Sequence, residues 1–177
     1  MSETAEQPAV RLWTLDGFRD DTWRHVEDAD GLAATGDVIL PLDAFLALDA
    51  EARRSANHRT GVRIKPGDKI EAIAEHLESL ALVALEFPAF SDGRSFSKAE
   101  LLRRRYGYKG AVRAVGQVLP DQFSHMLRVG FTEFEISHTV LLRWIEEGRV
   151  KGLGLYNQPS VRDDKPAGKY SWRRLPQ

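Results

Sequence analysis

The side chains best suited to chemistry lie in one continuous stretch, residues 86–97, which reads EFPAFSDGRSFS. The carboxyl groups of Asp92 and Glu86 could serve as general acid or base if their pKa values were tuned toward neutral pH. The guanidinium group of Arg94 presents a planar fork of donors that suits a small anion. We therefore predict Asp92 and Glu86 as catalytic residues and Arg94 as a substrate-binding residue.

Asp92 and Arg94 each have a structural interpretation as well. Asp-Gly is a strong turn dipeptide, so Asp92 could be only a turn residue. Arg94 could be one half of a surface ion pair, an arrangement that contributes little to stability. The sequence leaves both interpretations open.

Three further residues are candidates for substrate binding. Arg113 and Glu86 fall near the ends of neighbouring predicted strands, where they could flank a substrate or form a buried pair that links the strands. Asp121 and Gln122 open a predicted helix, whose free amides and dipole favour anions. We assign Arg113, Asp121 and Gln122 to substrate binding, although an aspartate at this position often only complements the helix dipole.

The elements around residues 86–97 are those that position a site in an α/β protein. An apolar run, Leu80–Leu85, precedes the stretch, and a helix-like segment, 98–106, follows it. In parallel sheets, ligands bind outside the carboxyl ends of the strands. A loop that joins such a strand to a helix is therefore the expected position of a site.

Five successive βα units account for the central part of the chain. Apolar strand-like runs recur about 20–30 residues apart, and each is followed by apolar residues at helical spacing. Asp68 with Glu71 and Ser97 with Glu100 have the spacing of capping boxes, and Pro120 suits the first turn of a helix. The predicted strands span 37–42, 62–64, 80–87, 111–115 and 131–136, and the predicted helices lie within 44–57, 70–80, 97–106, 120–127 and 140–145.

Charged residues within the strands predict the shape of the sheet. Glu133 and Glu135 share one face of the last strand, Arg63 and Lys65 share one face of the second, and Arg113 lies in the middle of the fourth. Strands covered by helices on both faces are almost continuously apolar, unlike these. A mainly parallel sheet curled into a partial barrel with a charged concave side accounts for the pattern. The alternative is that these charges pair internally or face solvent.

The chain divides into three parts on this interpretation. Residues 1–36 form an N-terminal arm or hairpin, 37–150 the α/β domain, and 151–177 an irregular tail rich in basic and aromatic residues. A partial barrel leaves the edges of its sheet open, and open edges favour self-association into a homo-oligomer.

Composition narrows the classes of function. The chain has 177 residues, 42% of them apolar, and a formal net charge of −1, which favours neither nucleic acid nor a membrane surface as a partner. It has no cysteine, which excludes disulfides and thiolate chemistry, and its five histidines lack metal-ligand spacing, so we predict no metal site. No apolar signal region occupies residues 2–7, and the longest apolar run is too short to span a bilayer. We expect a cytoplasmic protein.

Several motifs between residues 36 and 137 occur in the order found in one bacterial family. The stretch 86–97 is followed by LLR (101–103), RYGY (105–108), RAVG (113–116), VL (118–119), DQ (121–122) and RVGF (128–131). This pattern resembles the bacterial domain-of-unknown-function family nine hundred and thirty-four. Two positions depart from the family pattern, which tends to have an acid where Gln117 stands and a residue other than proline where Pro120 stands.

The resemblance implies a role in assimilatory sulfite reduction. Members of that family are commonly labelled oxidoreductases because their genes lie beside sulfite reductase genes. The protein would then be an oxidoreductase or an accessory subunit. The alternative is a non-catalytic partner that binds sulfite reductase or another redox protein, such as its electron donor, through the basic helix face at 102–105 and the tail at 151–177.

The cofactor that an oxidoreductase would use stays unidentified. No Gly-x-Gly-x-x-Gly sequence follows a predicted strand, and no Walker loop is present. Because the chain has no cysteine, electrons would have to pass through a bound organic cofactor. Flavins can bind barrel-like folds without a sharp sequence motif.

Overall fold

A computed structural model shows the chain built around one eight-stranded sheet. The structure describes residues 9–28, 36–49, 51 and 59–150. The strands are β1 (Arg11–Thr14), β2 (Gly17–Arg19), β3 (Arg24–His25), β4 (Val38–Pro41), β5 (Thr60–Ile64), β6 (Leu82–Phe87), β7 (Ala111–Gly116) and β8 (Glu133–Ile136). Their order across the sheet is β2-β1-β8-β7-β6-β5-β4-β3.

The sheet is mainly parallel, as the repeated βα units predict. Strands β3 to β8 run parallel to one another, whereas β1 is antiparallel to both of its neighbours, β2 and β8. The N-terminal segment therefore contributes strands at both edges of the sheet.

Helical segments follow each of the strands β4 to β8. They are α1 (Leu42–Ala47), a 3₁₀ helix (Ile70–His76), α2 (Arg94–Arg104), α3 (Pro120–Val129) and α4 (Thr139–Glu146). The predicted α/β class with repeated βα units is confirmed. None of the helices within the described residues is long and apolar enough to cross a membrane.

The two faces of the sheet differ because side chains alternate along each strand. One face is apolar and packs against the helices, which contribute Phe45, Ile73, Leu102, Phe123 and Leu141 to the core. The other face carries a small apolar cluster, in which Trp23 packs beside Ile39, Leu82, Ala84 and Val115. The charged residues of β7 and β8 lie on this second face.

One contact across this second face shows that the sheet is curled. His25 lies on the edge strand β3 and Glu135 on β8, with four strands between them. In a flat sheet, five strand spacings would separate them by about 24 Å. His25 Nε2 and Glu135 Oε1 are 2.8 Å apart, so the sheet curves into a half-barrel and this face is concave. The predicted partial-barrel shape is confirmed.

Some local predictions about helices are wrong. The segment 70–76 is a 3₁₀ helix, which fits the three-residue spacing of the buried Ile70 and Ile73. The two predicted capping boxes do not form. Asp68 accepts a hydrogen bond from Lys65 N at 2.7 Å instead, and α2 begins at Arg94, so Ser97 lies within the helix.

Other predictions fall partly or wholly beyond the part of the chain that the structure describes. The helix predicted at 44–57 corresponds to α1, which ends at Ala47; most of the remainder of that range is not described. The basic aromatic tail, 151–177, also lies outside the described residues.

Candidate functional site

The loop that follows β6 carries Asp92 at the carboxyl edge of the sheet. Asp92 N donates to Ala89 O at 3.1 Å, which closes a turn. Asp92 Oδ1 accepts hydrogen bonds from Arg94 N at 3.3 Å and Nε at 2.9 Å, and Asp92 Oδ2 accepts from Arg94 Nη2 at 2.7 Å. These contacts agree with the structural interpretations of both residues, a turn aspartate and an ion pair.

The pairing determines what Asp92 can do chemically. Hydrogen bonds from the Arg94 side chain lower the pKa of Asp92 to about 2. A general acid or base works best when its pKa lies near the working pH. Near neutral pH the Asp92 carboxylate is a weak base, and the contacts suit it to hold Arg94 in place.

The same loop exposes two large side chains. We call residues 88–94 the docking loop. Phe90 is 59% exposed and the Arg94 side chain is 64% exposed. Gln122, in the first turn of α3, donates from Nε2 to Phe90 O at 3.2 Å. Gln122 therefore contacts the loop, whereas Asp121 is exposed beside it in the same helical turn.

Two buried polar residues anchor α2 and thereby the end of the docking loop. Ser95 Oγ donates to Glu86 O at 2.6 Å. Lys98 Nζ donates to Lys65 O at 2.8 Å and to Pro66 O at 2.7 Å. Desolvation lowers the pKa of Lys98. These bonds join the start of α2 to β6 and to the turn after β5.

Arg113 is the centre of an ionic cluster on the concave face. Its side chain is fully buried. Arg113 Nε donates to Glu133 Oε2 at 2.9 Å, and Nη1 donates to Asp21 Oδ2 at 2.8 Å and to Glu135 Oε1 at 3.0 Å. His25 shares the same oxygen of Glu135. The cluster joins the N-terminal segment, through Asp21 and His25, to β7 and β8 across the concave face.

The electrostatics of this cluster favour its charged form. Burial opposes the charge of Arg113, but Glu133 and Asp21 outweigh that effect and raise its pKa. Burial would likewise raise the pKa of Glu135, but hydrogen bonds from His25 and Arg113 outweigh it and lower the pKa. The interpretation of the strand charges as internal ion pairs is confirmed for these residues.

The buried pair that the sequence leaves open for Glu86 and Arg113 is not formed. Glu86 aligns with Val115 on the neighbouring strand, two residues beyond Arg113, and its side chain is half-buried on the concave face. Arg113 takes its partners from β8 and the N-terminal segment instead, because the curl brings Asp21 within reach. The predicted site residues are thus divided between the concave face (Glu86, Arg113) and the docking loop with its neighbours (Asp92, Arg94, Asp121, Gln122).

A cleft at the carboxyl ends of β7 and β8 was not predicted from the sequence. Its volume is about 470 Å³, and Gln117, Ser137 and His138 contribute to its lining. Gly116 shapes its floor: its φ is 89°, and a Cβ there would lie 2.5 Å from Phe87 O. His138 Nδ1 accepts from Leu141 N at 3.4 Å at the start of α4, so the neutral ring carries its proton on Nε2.

Only part of the basic run on α2 is exposed to solvent. Arg103 donates to three backbone carbonyls, whereas Arg104 pairs with Glu100 at 3.1 Å on the exposed side of the helix. Within the described residues, no group of three or more metal-binding side chains is close enough to hold a metal ion.

Comparison with known proteins places this half-barrel chain in a family. The model of the family described as bacterial protein of unknown function (DUF934) matches residues 61–167. The match covers more than half of the chain, so the protein belongs to this family, as the motifs from 86 to 131 indicate. No curated protein matches the chain.

Proposed function

We propose that the protein is a non-catalytic accessory of assimilatory sulfite reduction, which binds sulfite reductase or its electron donor. The link to sulfite reduction comes from the gene neighbourhood that the family resemblance implies. The non-catalytic role is supported by the ion pairs. Asp92 forms an ion pair with Arg94, and Glu133 and Glu135 form ion pairs with Arg113.

The observation that carries this proposal is the docking loop. It exposes Phe90 and Arg94, and aromatic residues and arginine dominate the binding energy of protein interfaces. Asp92 and Gln122 hold the loop in one conformation, which lowers the entropy that binding must remove. A matching partner surface has an apolar pocket for Phe90 beside a carboxylate for the outer edge of Arg94.

The pathway is tested by growth of a deletion strain on sulfate, sulfite or sulfide as the sole sulfur source. We expect growth on sulfide alone, because the missing protein would act at the sulfite step. Normal growth on all three sulfur sources would refute the assignment to sulfite reduction.

The docking loop is tested by binding of the purified protein to purified sulfite reductase and, separately, to its electron donor. We expect Phe90→Ala to weaken binding to one of them by at least about tenfold, the effect typical of an interface hot spot. Leu46→Ala is the matched control, because Leu46 is a large apolar residue that is exposed on α1, away from the loop. Equal binding by the wild type and Phe90→Ala would rule out the loop as the contact.

A second candidate function is an oxidoreductase, and the cleft at β7 and β8 favours it. Ligands of parallel α/β sheets bind at this edge, and His138 is a residue type suited to proton transfer. The visible absorption spectrum of protein purified from its natural host tests this candidate. A flavin spectrum that is lost when Ser137→Trp narrows the cleft would support it, whereas a colourless protein with full activity in complementation would support the accessory role.

A further inference from the structure

A second cavity lies at the opposite edge of the sheet, where β7 and β8 begin. Its volume is about 300 Å³. The turn between β1 and β2 supplies Leu15 to one wall, and α3 and the segment after it supply Leu127 and Phe131. Arg103 from α2 and Lys109 from the loop before β7 complete the charged part of the lining.

Arg103 is held rigidly at this cavity. Its Nε donates to Gly130 O at 3.0 Å, and its Nη1 donates to Tyr108 O at 2.7 Å and to Gly110 O at 2.8 Å. These bonds leave Nη2 as the part of the fork that remains for a ligand. Because three carbonyls already hold the guanidinium, a ligand would not have to order it.

The side chains that line this cavity carry positive charge and no compensating negative charge. Arg103 and Lys109 are cations, and no carboxylate lines the cavity. In the part of the chain that the structure describes, neither residue forms an ion pair with an acidic side chain. Desolvation lowers the pKa of Arg103, as expected for a cation that is drawn out of water without a counter-charge. A bound anion would supply that counter-charge.

We infer that this cavity binds a small organic anion, with a carboxylate or similar oxyanion head on a short apolar body. The head would lie between Arg103 Nη2 and Lys109, and the body against Leu15, Leu127 and Phe131. Leu15 is 48% exposed, so a ligand would cover apolar surface there, whereas Leu127 and Phe131 are buried and add little exposed surface of their own. This inference does not depend on the proposed role in sulfite reduction.

The test is an amide NMR titration of the full-length protein with isovalerate, and in parallel with its neutral analogue isovaleramide. We expect saturable shifts at residues 108–110 and 130–132 with isovalerate, and at least about tenfold weaker binding of the amide, because charge-assisted hydrogen bonds are lost. Arg103 is left intact, since removing it would leave three carbonyls without their donor.

Lys109→Ala tests the charge without disturbing the core, because Lys109 is exposed. We expect it to weaken isovalerate binding about two- to fivefold, the range for one exposed charge pair. Lys69→Ala, at an exposed lysine beside the 3₁₀ helix, is the matched control and should bind as the wild type does. The inference is overturned if no saturable shift occurs at 108–110 and 130–132, if the amide binds equally well, or if Lys109→Ala has no effect. Arg103 would then only join α2 to the neighbouring loops.

Discussion

Two arginines of this protein, Arg113 on β7 and Arg94 at the start of α2, are both held by carboxylates, but in opposite surroundings. The Arg113 side chain is fully buried and contacts three carboxylates, whereas the Arg94 side chain is 64% exposed and contacts one, two residues away. The partners of Arg113 come from β8 and the distant N-terminal segment. Arg113 therefore fastens parts of the chain together, and Arg94 is presented to the outside.

The difference shows that burial decides whether an arginine mainly stabilises the fold or is free to contact a partner. Removing one partner from a buried ion cluster leaves other charges without compensation in a medium of low dielectric. Removing one partner from an exposed pair leaves the other charge in water, where it costs little. Stability should therefore depend on Arg113, and recognition of a partner on Arg94.

The largest effect is expected for Arg113→Ala. It would leave Asp21, Glu133 and Glu135 together without their cation, so we expect the free energy of unfolding to fall by about 3–5 kcal/mol. Urea denaturation measures this change. Arg104→Ala is the control: Arg104 is in an exposed pair with Glu100, and its loss should cost at most about 0.5 kcal/mol. Equal losses in the two variants would contradict the comparison.

A smaller loss is expected for Lys98→Met, which removes a buried cation that has hydrogen bonds to carbonyls. The carbonyls of Lys65 and Pro66 would lose their donor, at a cost of about 1–3 kcal/mol. Denaturation of Lys98→Met and of the exposed control Lys69→Met checks this. If Lys98→Met were as stable as the control, Lys98 would not anchor α2.

The sequence predicts those parts of the molecule that depend on near neighbours in the chain. Apolar runs and helical spacing locate the βα units, and alternation along β8 places Glu133 and Glu135 on one face with Arg113 beside them. The turn at Asp92 and an ion pair at Arg94 are both open interpretations of the sequence, and the contact that joins the two side chains spans only two residues.

The parts that could not be predicted depend on contacts between distant segments. Asp21 is 92 residues from Arg113, and His25 is 110 residues from Glu135, so no local pattern links them. They meet because the sheet curls, and how far it curls is decided by packing of the whole sheet. The cleft at Ser137 and His138 follows a predicted strand, but its short polar sequence lacks the acid and arginine that marked residues 86–97.

Acid should weaken the buried cluster through Glu135. Its pKa is lowered in the folded protein, so its contribution to stability is present above the unfolded value of about 4.5 and is lost as pH falls through the folded value. We expect Glu135→Gln to have a shallower loss of unfolding free energy below that pH than the wild type. Glu78→Gln, at an exposed glutamate, should follow the wild-type profile. Identical profiles for all three proteins would show that Glu135 does not carry this pH dependence.

The smallest effect on stability is expected for Arg94→Gln, and it tests the other half of the comparison. The free energy of unfolding should stay within the error of the measurement, because the pair is at the surface. The pKa of Asp92 should nevertheless rise from about 2 toward its ordinary value of 3.8, because the Arg94 side chain is the main cause of its depression. NMR titration of the Asp92 carboxyl group measures this, with Arg104→Gln as the control.

A large loss of stability in Arg94→Gln would mean that the exposed pair also stabilises the fold, and the contrast with Arg113 would fail. An Asp92 pKa that stayed near 2 would mean that other contacts of the loop, such as the turn amides, hold the carboxylate in its charged form.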